Sequence, residues 1–240
     1  MKHKDRIREE IWKRLEEAKV GSFPKPLKGR IPNFVGAEKV AEKLQELKAF
    51  RQASVVKINP DAPQRSVRFL SLMMGKTVIM PTPRLREGFI VLEPREIPLS
   101  RIKYASTIRG AFTYGRLISP ENLPHIDLVV TGSVAVDICG RRLGKGEGYS
   151  EIEWGILSEF GKVNSETPIL TTVHDLQIVR EIPSDPWDFA VDIIVTPTRI
   201  LRNTCERRKP KGIMWEFLSM EKLREIPLLQ ELKKRYIGNE

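Results

Sequence analysis

Apolar residues recur along the chain with two different periods. Between Lys4 and Lys19, Ile7, Ile11, Leu15 and Ala18 fall at spacings of four, four and three, the stripe of an amphipathic helix. A turn-rich stretch, Gly21-Ser-Phe-Pro-Lys-Pro26, separates it from a second helix predicted near Ala37–Ala49. Ala53–Ile58 reads as a strand ended by Asn59-Pro60-Asp61-Ala62-Pro63, Gln64–Met74 as a helix, and Thr77–Met80 and Gly88–Leu92 as strands. Glu93–Pro124 holds several Pro and Gly with little period, and no elements are assigned to it. Ile126–Thr131 is a buried-type strand that Val134–Ile138 extends or pairs with, Gly140–Gly148 is a glycine-rich loop, and Glu151–Phe160 is a helix. Ile169–Val173, Leu176–Val179 and Val191–Thr196 read as strands, and Ser219–Glu225 and Pro227–Tyr236 as closing helices. This alternation argues for an α/β fold with a mostly parallel sheet and helices on both faces. Nothing in the pattern resembles a repeat or a linker, so residues 1–240 are expected to form a single domain.

Charge narrows the classes of function. With 41 Lys+Arg against 31 Asp+Glu the chain carries a net +10, on a background of 40% hydrophobic and 30% charged residues typical of soluble globular proteins. Apolar runs such as Asp127-Leu-Val-Val-Thr-Gly-Ser-Val-Ala-Val-Asp137 are bounded by carboxylates and far shorter than the ~20 residues of a membrane span. The first twenty residues read as a charged helix, not a secretory leader. Cys139 and Cys205 have no C-x-x-C partners, so neither a disulfide scaffold nor a thiolate zinc site is expected, which points to a reducing, cytoplasmic setting. Five Gln and six Asn beside abundant Lys, Arg and Glu are the lean of thermophile compositions. The positive surplus suits nucleic acid or a small phosphate-bearing ligand. The basic run of Arg199, Arg202, Arg207, Arg208, Lys209 and Lys211 has no interleaved aromatics and no recognition-helix motif, so a solvated face is expected and nucleic acid is not the favoured partner. His3, His125 and His174 are too scattered for a metal cluster, and no G-x-S-x-G surrounds Ser133.

The most informative segment is Gly140-Arg-Arg-Leu-Gly-Lys-Gly-Glu-Gly-Tyr149. A strand runs in and a helix runs out, and Gly144, Gly146 and Gly148 let successive backbone N–H groups turn into one concavity beside a helix N-terminus. Arg141, Arg142 and Lys145 add full charges, so phosphate binding is the chemistry implied. The spacing is neither the dinucleotide fingerprint nor a Walker A loop.

These residues also resemble a family signature. Ile126-Asp-Leu-Val-Val-Thr-Gly-Ser-Val-Ala-Val-Asp137 followed by Gly140-x-Arg142-Leu-Gly-Lys-Gly-Glu-Gly-Tyr149 is similar to the signature of 5-formyltetrahydrofolate cyclo-ligases, or methenyltetrahydrofolate synthetases. Lys4-x-x-Ile-Arg8 resembles the family's N-terminal K-x-x-L-R, and Asp175-Leu-Gln177 with Pro183-Ser-Asp-Pro-Trp-Asp188-x-x-x-Asp192 resembles its closing segments. The likeness is nearest to the divergent methenyltetrahydrofolate synthetase domain-containing branch, where a loop of the form RLGKGEG is usual. It implies a fold like that of the sugar-phosphate isomerase and CoA-transferase-like (NagB/RpiA-like) group. The activity implied is an ATP- and Mg²⁺-dependent ligase: ATP phosphorylates the formyl oxygen of 5-formyltetrahydrofolate, or of a modified pterin relative, and N10 closes the ring to 5,10-methenyltetrahydrofolate. Lys4 and Arg8 would then contact ATP from one helical face, with Arg142, Gly144, Lys145, Gly146, Glu147, Gly148 and Tyr149 around its phosphates and Arg142 and Lys145 as catalytic cations. Glu151 and Asp188 would hold Mg²⁺.

The departures matter as much. Where the usual loop reads G-x-G-G-G-Y-Y-D-R, this chain has Glu147, Ser150, Glu151 and Ile152, so a carboxylate enters the nest and an aromatic and an arginine are lost. In Asp61-Ala-Pro-Gln-Arg65 no carboxylate stands at the place expected for the pterin ligand, which supports nucleotide binding more than folate chemistry. The alternative is a nucleotide- or RNA-binding module on the same fold that has lost the ligase reaction.

Overall fold

The computed structural model describes residues 2–205 and 208–237. Helix α1 (Lys2–Glu17) leads into α2 (Ala37–Lys43) and α3 (Lys48–Gln52), then β1 (Val55–Ile58), α4 (Arg65–Met73), β2 (Thr77–Pro81) and β3 (Phe89–Leu92). Helices α5 (Ile102–Ala105) and α6 (Ile108–Tyr114) precede β4 (Arg116–Ile118), β5 (Leu128–Thr131), β6 (Ala135–Asp137), β7 (Arg142–Leu143) and α7 (Tyr149–Glu159). β8 (Ile169–Thr172), β9 (Ile178–Val179), β10 (Ile193–Val195), β11 (Ile200–Arg202), α8 (Met220–Glu225) and α9 (Pro227–Ile237) complete the order.

Eight strands form one sheet in the order β11-β10-β8-β5-β1-β2-β3-β4. The five from β10 to β2 are parallel, and β3, β4 and β11 pair antiparallel at the two flanks. Strand alternation splits the sheet's side chains between two layers. Val56, Ile58, Val78, Met80, Leu128 and Val130 pack under α2–α6, whereas Ile79, Val91, Val129, Ile169 and Ile194 pack against α7–α9. This is the mostly parallel α/β sheet with helices on both faces that the sequence predicts.

A second sheet, β7-β6-β9, stands apart and carries α1 on Ile7, Ile11, Trp12 and Leu15 against Val134, Ala135 and Leu143. Sequence pattern left Val134–Ile138 between extending its neighbour and pairing with it; it does neither, because β6 pairs β7 and β9 in the separate sheet. The predicted helix at Ala37–Ala49 is broken at Leu47, whose ψ of 123° is extended. Leu44, Leu47 and Phe50 all enter the core across that break. The unassigned stretch 93–124 holds α5, α6 and β4, elements too short for periodicity to register.

Candidate functional site

The chain leaves β1 toward β2–β4 on one side and returns to β5 on the other, so the β1/β5 edge is a switch point where open α/β sheets place ligands at the carboxyl ends of strands. A cavity of about 490 Å³ lies at that end. Its floor includes Asn59 and Asp61 after β1, Thr82 after β2 and Glu153; its wall is the loop and helix start from Gly144 to Glu151.

The loop is built as its glycines imply. Gly146 (φ 104°) and Gly148 (φ 74°) take left-handed conformations, and Gly148 caps α7. Arg8 on α1 donates from Nε to the Gly144 carbonyl at 2.8 Å and from Nη1 to Asp5 at 2.6 Å. Lys145 Nζ lies 2.7 Å from Glu147, so the carboxylate that enters the nest is paired with the loop's own cation. Arg142 is almost fully buried, and its Nη2 meets Glu151 Oε1 at 2.5 Å, Nη1 donates to the Gly132 carbonyl at 3.2 Å, and the guanidinium lies 4.7 Å from the Phe189 ring centroid. Its Nε is buried without a partner.

Lys4, one turn before Arg8, reaches Asp185 at 2.7 Å and Asp188 at 2.5 Å. Burial alone would lower the Lys4 pKa, but these two carboxylates hold it above its ordinary value. Asp188 also accepts the Asp185 N–H at 2.7 Å. Tyr149 opens α7 with Lys222 Nζ 3.6 Å from its ring centroid; burial and then a hydrogen bond to Glu225 push its phenol well above the usual range.

The structure therefore brings Arg142, Gly144, Lys145, Glu147, Gly148, Tyr149 and Glu151 to one cavity, with Arg8 against the loop from behind. It does not bring Glu151 and Asp188 together there: Asp188 lines a smaller cavity of about 290 Å³ on the other side of Arg142. Among the described residues no group of three or more His, Cys, Asp or Glu is arranged to hold a metal ion. Magnesium typically takes one or two carboxylates together with substrate phosphates and waters, and Glu151, which lines the cavity wall beside Arg142, fits that requirement.

Three groups escaped the sequence pattern. Asp61 stands on the cavity floor, its Oδ2 3.0 Å from where a Cβ on Gly132 would lie. Burial raises its pKa, opposed by Lys145, Arg68, Lys57 and Arg142. The segment Asp61-Ala-Pro-Gln-Arg65 does bring one carboxylate to the cavity, that of Asp61. Lys57, which alternation turns toward α7, ion-pairs with Glu153 and donates to Asn59 Oδ1 at 2.6 Å. Arg68, fully buried, donates to the carbonyls of Ser106, Asn59 and Asp61, and burial lowers its pKa to about 10. A lone Lys in an apolar strand run was the only signal for the Lys57 pair.

The 199–211 run is the solvated face expected except at Lys209: Arg199, Arg202, Arg208 and Lys211 are exposed, while the Lys209 side chain is buried on Asp192 at 2.8 Å and Arg207 lies outside the described residues. The expectation about sulfur changes. Cys139 and Cys205 are bonded to each other across 66 positions, so the expectation of unbonded cysteines is overturned and the argument for a reducing compartment goes with it. Motif spacing could not see that the β6–β7 turn and the end of β11 converge. No helix among the described residues is long and apolar enough to cross a membrane.

Residues 1–197 match the family model described as the 5-formyltetrahydrofolate cyclo-ligase family. Over 237 residues the chain is 43% identical to the methenyltetrahydrofolate synthase domain-containing protein of Mus musculus, covering 97% of this chain and 63% of that protein. The Bos taurus protein of that name is 42% identical over 96% of this chain and 62% of its own length. The chain thus spans less than two thirds of the length of these two relatives. A 5-formyltetrahydrofolate cyclo-ligase of Mycolicibacterium smegmatis is 27% identical over 134 residues, 53% of this chain and 63% of that one. Among solved structures, the 5,10-methenyltetrahydrofolate synthetase of Aquifex aeolicus shares the fold with a TM-score of 0.51 at 19% identity, over 88% of this chain and 98% of that one. A match that begins in α1, passes through the glycine-rich loop and ends just after β10 makes the chain a member of the 5-formyltetrahydrofolate cyclo-ligase family.

Proposed function

We propose that residues 1–240 act as one ATP-dependent cyclo-ligase domain on 5-formyltetrahydrofolate or a closely related formylated pterin. The observation that carries this reading is a single cavity with a cationic glycine loop on one wall and the Asp61 carboxylate on its floor. Phosphoryl transfer asks a protein mainly for positioning and charge neutralisation. Lys145 and the N–H groups of Gly146–Tyr149 would hold phosphate oxygens, Arg142 would stabilise the transferring group, and Lys4 and Arg8 would fix α1 over the nucleotide. When Mg²⁺ is bound, with Glu151 as its carboxylate ligand, it supplies further neutralisation of the phosphates. Asp188, held on Lys4, then keeps that cation in place for ATP.

Asp61 faces the cavity where a pterin 2-amino group would need an acceptor, and a carboxylate forked onto such an edge gives both affinity and orientation. No side-chain nucleophile is required, and among the described residues the cavity offers no cysteine or paired Ser–His. RNA binding draws no support from a run in which Lys209 is buried on Asp192 and Arg199 is held by Asp175.

The test is one spectrophotometric experiment. Protein, Mg-ATP and 5-formyltetrahydrofolate are mixed, the methenyl chromophore is followed, and ADP is quantified in the same tube. The expected result is chromophore and ADP rising together and stopping with EDTA. ATP protection against heat without either product would reject the ligase reading and leave a nucleotide site alone.

A further inference from the structure

The Cys139–Cys205 bond sits beside the cavity wall without a part in the proposed chemistry. We propose that it is a reducible tether that sets the order of the glycine-rich loop and is opened by a small anionic thiol, an inference that rests on that loop being the nucleotide site. Cys139 occupies the β6–β7 turn, three residues before Arg142 and five before Gly144; Cys205 follows β11. The covalent ring they close contains the whole glycine loop and α7.

The turn also rests on non-covalent contacts that run beside the S–S bond. Val191 N–H donates to the Gly140 carbonyl at 2.8 Å, Asn203 donates to the Val191 carbonyl at 3.2 Å, and the Cys205 N–H donates to Asn203 at 2.7 Å. Gly140, at φ 73°, packs so closely that a Cβ would meet the Val191 carbonyl at 2.0 Å. Reduction therefore loosens this stack without detaching it, and Arg142, anchored on the same turn, passes the slack to the loop.

The bond is reachable and its surroundings select a reagent. Cys205 is exposed, and both cysteines line the 290 Å³ cavity together with Arg141, Arg142 and Arg208. Arg142 is held by Glu151 and Arg141 by Asp137 and Glu181, so the exposed Arg208, which carries no ion pair among the described residues, is the guanidinium that attracts a negative thiol and stabilises the departing Cys139 thiolate. A thiolate attacks Cys205 Sγ, the Cys139–Cys205 bond breaks, and Cys139 leaves as thiolate. A second thiolate takes the adduct from Cys205 as a symmetrical disulfide, so two electrons pass from two thiols to the protein.

The test uses the full chain, oxidised and reduced, with glutathione and the cationic thiol cysteamine as probes at matched thiolate concentration. Alkylation and intact mass should find no free thiol before treatment and two afterwards, with glutathione about fivefold faster at low salt and the advantage lost at high salt. Amides of residues 140–150 should exchange about tenfold faster in the reduced form while those of β1 and β5 hold, and Mg-ATP should bind about tenfold more weakly. Two free thiols in the air-exposed protein, equal loop exchange in both forms, or equal rates for the two thiols would overturn the proposal. Oxidised protein that ignores ATP would sink the functional reading instead, and the exchange comparison would still decide the tether. Cys205→Ser should match the reduced form and ignore thiols; if it folds poorly, the reductive comparison on the native chain stands alone.

Discussion

The cavity's two sides handle charge in opposite ways. On the loop the Lys145–Glu147 pair is open to water, its side chains 36% and 37% exposed, whereas Arg142 and Glu151 at its base are 1% and 15% exposed. On the floor Lys57 and Glu153 are 3% and 6% exposed, and Asn59 joins them. An exposed pair contributes little and is readily exchanged for a phosphate oxygen, so the loop stays competent while neutralised. A desolvated pair is different, because losing either member strands a buried charge. The loop is therefore built to change partners and the floor to keep them.

The largest effect should come from the floor. Lys57→Met leaves Glu153 uncompensated where burial already raises its pKa, and the expected cost is about 3–5 kcal/mol at pH 7, a Tm lower by roughly 10 °C. Lys57→Met with Glu153→Leu should recover most of that loss, as measured by urea unfolding. A full loss in the double variant would mean that packing, not charge, holds the site.

Lys145→Ala is the matching change on the loop. Stability should move by no more than about 0.5 kcal/mol, since the pair it breaks is solvated. Mg-ATP affinity should fall about tenfold, or ~1.4 kcal/mol, by isothermal titration. Unchanged affinity would remove the loop's lysine from phosphate binding and erase the contrast between the two sides.

The loop was legible in sequence because its function depends on local spacing: alternating glycines, Lys145 between them, and a helix start within ten residues. The floor was not, because its residues meet only through the sheet. Lys57 and Glu153 are 96 positions apart and join because alternation on β1 turns Lys57 toward α7. Asp61 was passed over in its own segment because backbone direction after β1, not position in a motif, aims it inward. The same holds for the small sheet: three strands of two or three residues leave no period to detect, yet they fix α1, and with it Lys4 and Arg8, beside the loop. The parallel core strands were found because each is buried on both faces and reads as a continuous apolar run.

The smallest effect is also the most direct probe of a floor group that works at a cost. Burial raises the Asp61 pKa above its ordinary value of 3.8, so the folded protein holds that proton more tightly than the unfolded chain. The sign follows: Asp61 costs the fold nothing below pH 3.8, and its penalty grows as pH rises through the higher folded-state pKa. Asp61→Asn removes the titrating group while keeping its shape. Its Tm should equal that of the parent near pH 4 and exceed it by a few degrees at pH 7. In the same variant 5-formyltetrahydrofolate should bind more weakly while Mg-ATP binds as before. A Tm lower than the parent's at pH 7 would mean that the four surrounding cations, Lys145, Arg68, Lys57 and Arg142, outweigh desolvation. Asp61 would then belong with the carboxylates that hold the site together, and the division between an exchangeable loop and a fixed floor would have to be drawn on the other side of it.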